Sequence, residues 1–122
     1  MSTSTPPVNE QRLNDFIGQV VGEIGATLNT ALVALGDRLG LYRALADAGP
    51  LSAAELAERT GTRERYIREW LNTQAAGGFV TYDPDSDSYT LPIEQALVLA
   101  EPDSPAFLAG FFQIAAGTVR EA

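Results

Sequence analysis

From Glu10 to Ala48 apolar residues return every three or four positions: Leu13, Phe16, Ile17, Val20, Val21, Ile24, Leu28, Leu32, Leu35 and Leu39. That period assigns the opening stretch to helix before any other feature is weighed. Gly18, Gly22 and Gly25 each weaken a helix interior by up to ~1 kcal/mol relative to Ala while letting another backbone approach closely. The pattern therefore predicts two helices, with a kink or a tight helix crossing near the glycines. A membrane span from Phe16 to Leu35 is the rival reading, but Gln19, Glu23, Thr27, Asn29 and Thr30 interrupt it. Those polar residues favour a core or interface helix.

Shorter elements follow, each with its own punctuation. After Gly49-Pro50, Ser52 stands three residues before Glu55, the arrangement in which two side chains reciprocally satisfy orphan amides at a helix start. A helix over about Ala53 to Arg59 is expected, with Gly61 past its end as a left-handed cap. Thr62 is placed to cap a second helix, Arg63 to Ala76, that carries Tyr66, Ile67, Trp70 and Leu71 on one face. Gly77-Gly78 stops it. Phe79 to Tyr82 and Ser88 to Leu91 favour strands around a polar turn at Asp83 to Ser88, so a β-hairpin is predicted. A helix-turn-helix followed by a hairpin is the order of a winged helix. Beyond Pro92 the sequence predicts a short helix from Ile93 to Ala100. A last helix is opened by Ser104-Pro105 and carries Phe107, Leu108, Phe111, Phe112, Ile114 and Ala115 nearly all round. An apolar helix of that kind needs cover on more than one side, from a second copy of the chain or from a further domain.

Composition narrows the chemistry. The 122 residues include no His, Cys or Lys, which removes the usual zinc and iron ligand sets, cysteine nucleophiles, Ser-His-Asp triads, disulfides and Schiff-base lysines. A chain of this size with 45% hydrophobic residues suffices for one modest core. The stretch from Met1 to Pro7 is rich in Ser, Thr and Pro without a positive start or apolar run, so it reads as a disordered lead-in and the protein as cytoplasmic.

Net charge is −8, which opposes a polyanion partner. Arg59, Arg63, Arg65 and Arg68 do surround the second helix of the helix-turn-helix, the element that would enter a major groove. Yet Glu55, Glu58, Glu64 and Glu69 match them, and Glu64 with Arg68 and Arg65 with Glu69 lie at i,i+4 spacing. Asp83, Asp85 and Asp87 would set a wing of the wrong sign against phosphates. These three, with Glu94 at the twelfth position, also resemble a calcium loop, but Ser88 replaces the required Gly and Pro92 interrupts the wrap. No metal is expected. No strand is followed by a Gly-rich turn and a helix, so no dinucleotide or S-adenosylmethionine cradle is legible. Glu23 is the one carboxylate in apolar surroundings, and it falls at the edge of its helix.

Several segments, taken in order, carry a resemblance. They are Ala34-Leu35-Gly36-Asp37-Arg38-Leu39-Gly40-Leu41-Tyr42, the helix-turn-helix from Leu51 to Gly61, Tyr66-Ile67-Arg68-Glu69-Trp70-Leu71 and Gln74-Ala75-Ala76-Gly77-Gly78-Phe79. The hairpin ending Tyr89-Thr90-Leu91-Pro92 and the segment Ser104-Pro105-Ala106-Phe107-Leu108 complete the set. Together they resemble the N-terminal winged-helix domain of bacterial class I S-adenosylmethionine-dependent methyltransferases. More broadly, the chain is similar to the dimerisation domain of small-molecule O-methyltransferases, over about residues 10 to 120.

The resemblance implies a mainly α fold, a winged helix-turn-helix with a small hairpin wing and extra terminal helices. It divides the chain into a disordered lead-in (1–9), a winged-helix dimerisation domain (10–103) and an apolar helix (104–122) leading towards a catalytic domain absent here. It implies a homodimer that also forms part of the wall over a substrate site, without nucleic-acid or membrane partners. The interface residues expected are Phe16, Ile17, Val20, Val21, Ile24, Leu28, Phe107, Leu108, Phe111 and Phe112. S-adenosylmethionine and the methyl-transfer chemistry would belong to a following Rossmann-like domain, so this chain alone, as a truncated or split product, is expected to bind no cofactor and catalyse nothing. The alternatives are a small winged-helix DNA-binding regulator and a stand-alone module that takes an apolar ligand between its terminal helices.

Overall fold

The computed structural model describes residues 6–121, with side chains through Gly117. Of the lead-in, residues 1–5 lie outside the described residues, and residues 6–9 are exposed without regular structure. Six helices and one hairpin follow: α1 (Glu10–Leu39), α2 (Leu41–Ala48), α3 (Ala53–Thr60), α4 (Glu64–Ala76), β1 (Thr81–Asp83), β2 (Ser88–Thr90), α5 (Ile93–Leu99) and α6 (Ala109–Glu121). The architecture is mainly α, a winged helix-turn-helix with a hairpin wing and added helices at both ends.

The opening stretch is broken where the chain turns left-handed, not where glycines accumulate. α1 runs unbroken for 30 residues through Gly18, Gly22 and Gly25. Asn9 caps it, its side chain accepting from the Arg12 amide at 3.0 Å. The helix stops at Gly40, whose φ of 74° suits a residue without Cβ and whose N–H reaches back to the carbonyls of Asp37 and Gly36. A glycine inside a helix costs propensity but supplies no kink unless something inserts into the hydrogen-bond ladder.

Local signals elsewhere act as their chemistry dictates. Ser52 and Glu55 form both halves of the reciprocal cap, at 3.1 and 3.0 Å, and Gly61 closes α3 at φ 66°. Thr62 does not cap α4. Its hydroxyl lies 2.8 Å from that of Thr60, and Arg63 occupies the cap position without a side-chain bond.

In the wing, Thr81 pairs with Thr90, Tyr82 with Tyr89 and Asp83 with Ser88, antiparallel. Leu51 adds a bridge to Tyr89, with amide–carbonyl bonds of 3.0 and 2.8 Å that tie the start of the helix-turn-helix to the wing. The core gathers between these elements. Val33 comes from α1, Leu41, Tyr42 and Leu45 from α2, Leu56 from α3, Ile67, Trp70 and Leu71 from α4, Tyr89 from the wing and Leu99 from α5.

The C-terminal helix begins later than its sequence predicts. Ser104 and Pro105 form a turn instead, in which the Ser104 hydroxyl oxygen accepts from the Ala106 amide at 3.1 Å and its carbonyl accepts from Phe107. The Leu108 amide is taken by the Val98 carbonyl at 2.8 Å, which anchors this turn to α5 and delays helix to Ala109. Phe107 and Leu108 therefore precede α6. From there α6 packs along α1, with the Gln113 amide bonded to the Asp37 carboxylate.

Candidate functional site

The site begins with what α1 leaves uncovered. Every residue from Pro6 to Leu28 is exposed, and burial starts only at Asn29. On a 3.6-residue period, Phe16, Ile17, Val20, Val21, Ile24 and Leu28 fall on one side of the helix, while Gln11, Asp15, Gly18, Gln19 and Gly22 fall on the other. Gly25 therefore borders the apolar face beside Val21 and Leu28, while Gly18 and Gly22 lie farther behind it. All six apolar side chains are brought together, with exposures from 39% at Val20 to 63% at Leu28. Leu35 and Leu39 continue the same stripe towards the body. By length and composition α1 is also long enough and apolar enough to cross a membrane.

A buried joint fixes the direction of this arm. The Trp70 indole N–H donates to the Leu32 carbonyl at 2.9 Å, and the Trp70 ring stands 5.1 Å from that of Tyr42. Gln74, fully buried, accepts from the Tyr42 hydroxyl at 2.5 Å and donates to the Asn29 side chain at 3.0 Å. Burial, and then the charge of Asp37, push the Tyr42 phenol well above its ordinary pKa. Gly36 lies against the Trp70 and Tyr42 rings. The buried Gln74 was missed from sequence. Its spacing from Ile67, Trp70 and Leu71, on one apolar face of α4, is the signal that could have found it.

The four C-terminal candidates do not act as one surface. Phe111 and Leu108 point outward, whereas Phe107 is half-buried and Phe112 packs against the core. Phe112 and Leu108 instead line a groove of about 350 Å³ with Phe79, Val98, Leu99 and the Gly77-Gly78 turn, and Glu94 and Gln95 stand at its polar edge. The Gln95 side-chain amide donates to the Gly78 carbonyl at 3.2 Å.

The wing closes on itself. Asp83 accepts from the Asp85 amide at 3.0 Å and from the Ser86 hydroxyl at 2.9 Å. Asp87, at φ 48°, takes both guanidinium nitrogens of Arg68 at 3.3 and 3.5 Å and the Tyr82 hydroxyl at 3.0 Å. Those bonds, Arg68 first, hold the Asp87 carboxyl below its ordinary pKa. Glu64 lies 3.6 Å from the same arginine. The arginine most exposed to a groove-docking reading is thus already held by two carboxylates, and among the described residues Arg65 and Glu69 form no ion pair.

A nucleotide-type cofactor finds no cradle here. Among the described residues the strands form a single antiparallel hairpin, and β2 leads through Leu91-Pro92 into the seven-residue α5 without a glycine turn. The residues present do not fit S-adenosylmethionine.

The pattern match that decides the family covers residues 26–101, which fit the Rv2258c-like winged helix-turn-helix domain. The chain belongs to that family. The same fold recurs in solved methyltransferases. The structure of the mitomycin 7-O-methyltransferase MmcR superposes with a TM-score of 0.74 at 23% identity, covering 88% of this chain and 31% of that one. Human N-acetylserotonin methyltransferase in complex with SAM gives 0.69 at 16% identity, covering 97% and 33%. PigF with SAH gives 0.69 at 20%, covering 80% and 28%. This winged domain therefore spans about a third of the length of the structures it resembles. No curated protein matches it in sequence.

Proposed function

We propose that this winged domain is the non-catalytic dimerisation and substrate-lid part of a cytoplasmic S-adenosylmethionine-dependent methyltransferase, working against a separate Rossmann-like domain that supplies the cofactor. The observation that carries the reading is the arm: a capped helix that projects beyond its own body with a continuous apolar face left bare. A surface of that kind marks a protein partner, and the fold it extends from is one found in methyltransferase structures. The exposed Leu108 and Phe111 and the adjacent groove give the catalytic domain a second apolar surface to rest on. Arg68, engaged by Asp87 and Glu64, favours this reading over a DNA-binding regulator, whose affinity would come from free cations. The polar side of α1 favours a protein contact over a membrane span.

Light scattering on the eluting chain tests it. A particle of twice 13.0 kDa is expected at micromolar concentration, together with no heat on titration with S-adenosylmethionine. A monomer at every concentration, or a salt-sensitive shift of duplex DNA, would overturn the proposal.

A further inference from the structure

We infer that two copies of α1 pair antiparallel about a two-fold axis passing through Ile24. This rests on the dimer reading above and adds its geometry. The exposed stripe has a symmetric spacing. Counting outward from Ile24, the next positions lie four residues away on both sides, at Val20 and Leu28, then three further, at Ile17 and Ala31, then four further, at Leu13 and Leu35. All of these are exposed, and reversing the helix about Ile24 lays each onto its counterpart. Leu13 meets Leu35, Ile17 meets the small Ala31, Val20 meets Leu28 and Ile24 meets itself. The two halves are eleven-residue blocks, a repeat close to the natural helical period, so the stripe stays nearly parallel to the axis over its whole length.

Three observations select a second copy as the occupant. First, the stripe stays open: Val33, on the buried side of α1, lies opposite Ile24, and Ala31 and Leu35 remain exposed although Ala34 beside them is buried. Second, the charges complement each other. Glu10 and Arg38 flank the stripe at its two ends, both exposed, and reversal about Ile24 sets each against the other in the second copy. A parallel pair would set like against like. Third, the nine large apolar side chains from Leu13 to Leu39 on this side expose on the order of 800 Å², the ordinary area per partner of a stable dimer.

The chain contains no cysteine, so introduced thiols report the register without background. Mild oxidation of Ile24→Cys is expected to give a disulfide-linked dimer on a non-reducing gel. Leu13→Cys alone should stay unlinked, yet link when mixed with Leu35→Cys. Glu10→Arg and Arg38→Glu should each weaken dimerisation about two- to thirty-fold, and the double reversal should restore it. If the wild type is a dimer by light scattering but Val20→Cys or Leu13→Cys links to itself and Ile24→Cys does not, the register is wrong while dimerisation stands. A dimer in which no stripe cysteine links places the contact elsewhere and also overturns it. A monomeric wild type overturns the dimer reading itself.

Discussion

Replacing Gly36 by Ala and Gly22 by Ala makes the same chemical change twice in one helix, with opposite consequences. A Cβ at position 22 meets nothing within 4 Å, so the substitution collects only the helical advantage of alanine, up to about 1 kcal/mol. At position 36 the new methyl would overlap Trp70 Cζ2, lie 2.9 Å from Tyr42 Cε2 and 3.1 Å from Trp70 Cε2. Neither ring can withdraw freely, since Trp70 is bonded to the Leu32 carbonyl and Tyr42 to Gln74. Overpacking of this kind costs about 1–3 kcal/mol, and loss of the indole bond adds about 1 kcal/mol. Set against the propensity gain, Gly36→Ala should destabilise by about 1–3 kcal/mol while Gly22→Ala stabilises. Urea unfolding followed by far-ultraviolet circular dichroism at one fixed protein concentration gives both numbers, the fixed concentration holding any dimer contribution constant. Equal stabilisation by the two substitutions would refute the argument that Trp70 clamps the base of α1.

Tyr42→Phe removes the donor to buried Gln74 and should cost about 1–3 kcal/mol in the same assay. It should also flatten the alkaline limb. Because the folded phenol has a raised pKa, its contribution is complete below the ordinary value of 10.0 and is lost as pH rises above it. Ser52→Ala breaks the reciprocal cap of α3 and should cost about 1 kcal/mol. Asp87 has its pKa lowered by Arg68 and Tyr82, so its stabilisation is present above the ordinary value of 3.8 and disappears as pH falls through the lower folded value. Urea midpoints measured between pH 6 and 3 should fall less steeply for Asp87→Asn than for the wild type.

Features encoded within a few residues were legible in the sequence. The Ser52–Glu55 cap, the Gly61 stop and the hairpin all depend on neighbours close in the chain and formed as their chemistry dictates, although the first strand runs Thr81–Asp83 and leaves the expected Phe79 and Val80 in the preceding bend. The stripe on α1 was legible for the same reason, since its period is local. What escaped reading depends on distance along the chain. Gln74 is buried because Asn29 accepts from its amide nitrogen and Tyr42 donates to its amide oxygen, and Asp87 holds Arg68 from 19 residues away. Helix α6 starts late because the Val98 carbonyl captures the Leu108 amide, a competition that no helix-start rule contains. The expected kink at Gly18, Gly22 and Gly25 failed for the complementary reason. Nothing from the rest of the fold reaches those glycines to bend the helix there.

The joint around Gln74 governs more than local stability. From Asn29 to Glu10 the arm extends about 29 Å, so each degree of pivot at its root swings the tip by about 0.5 Å. Leu13, about 24 Å from Asn29, would move by about 4 Å for a misalignment of about ten degrees, enough to leave the seat it needs on another helix. The hydrogen-bonded trio Tyr42–Gln74–Asn29, the Trp70 bond to Leu32 and the packing of α6 along α1 together hold the root of that lever.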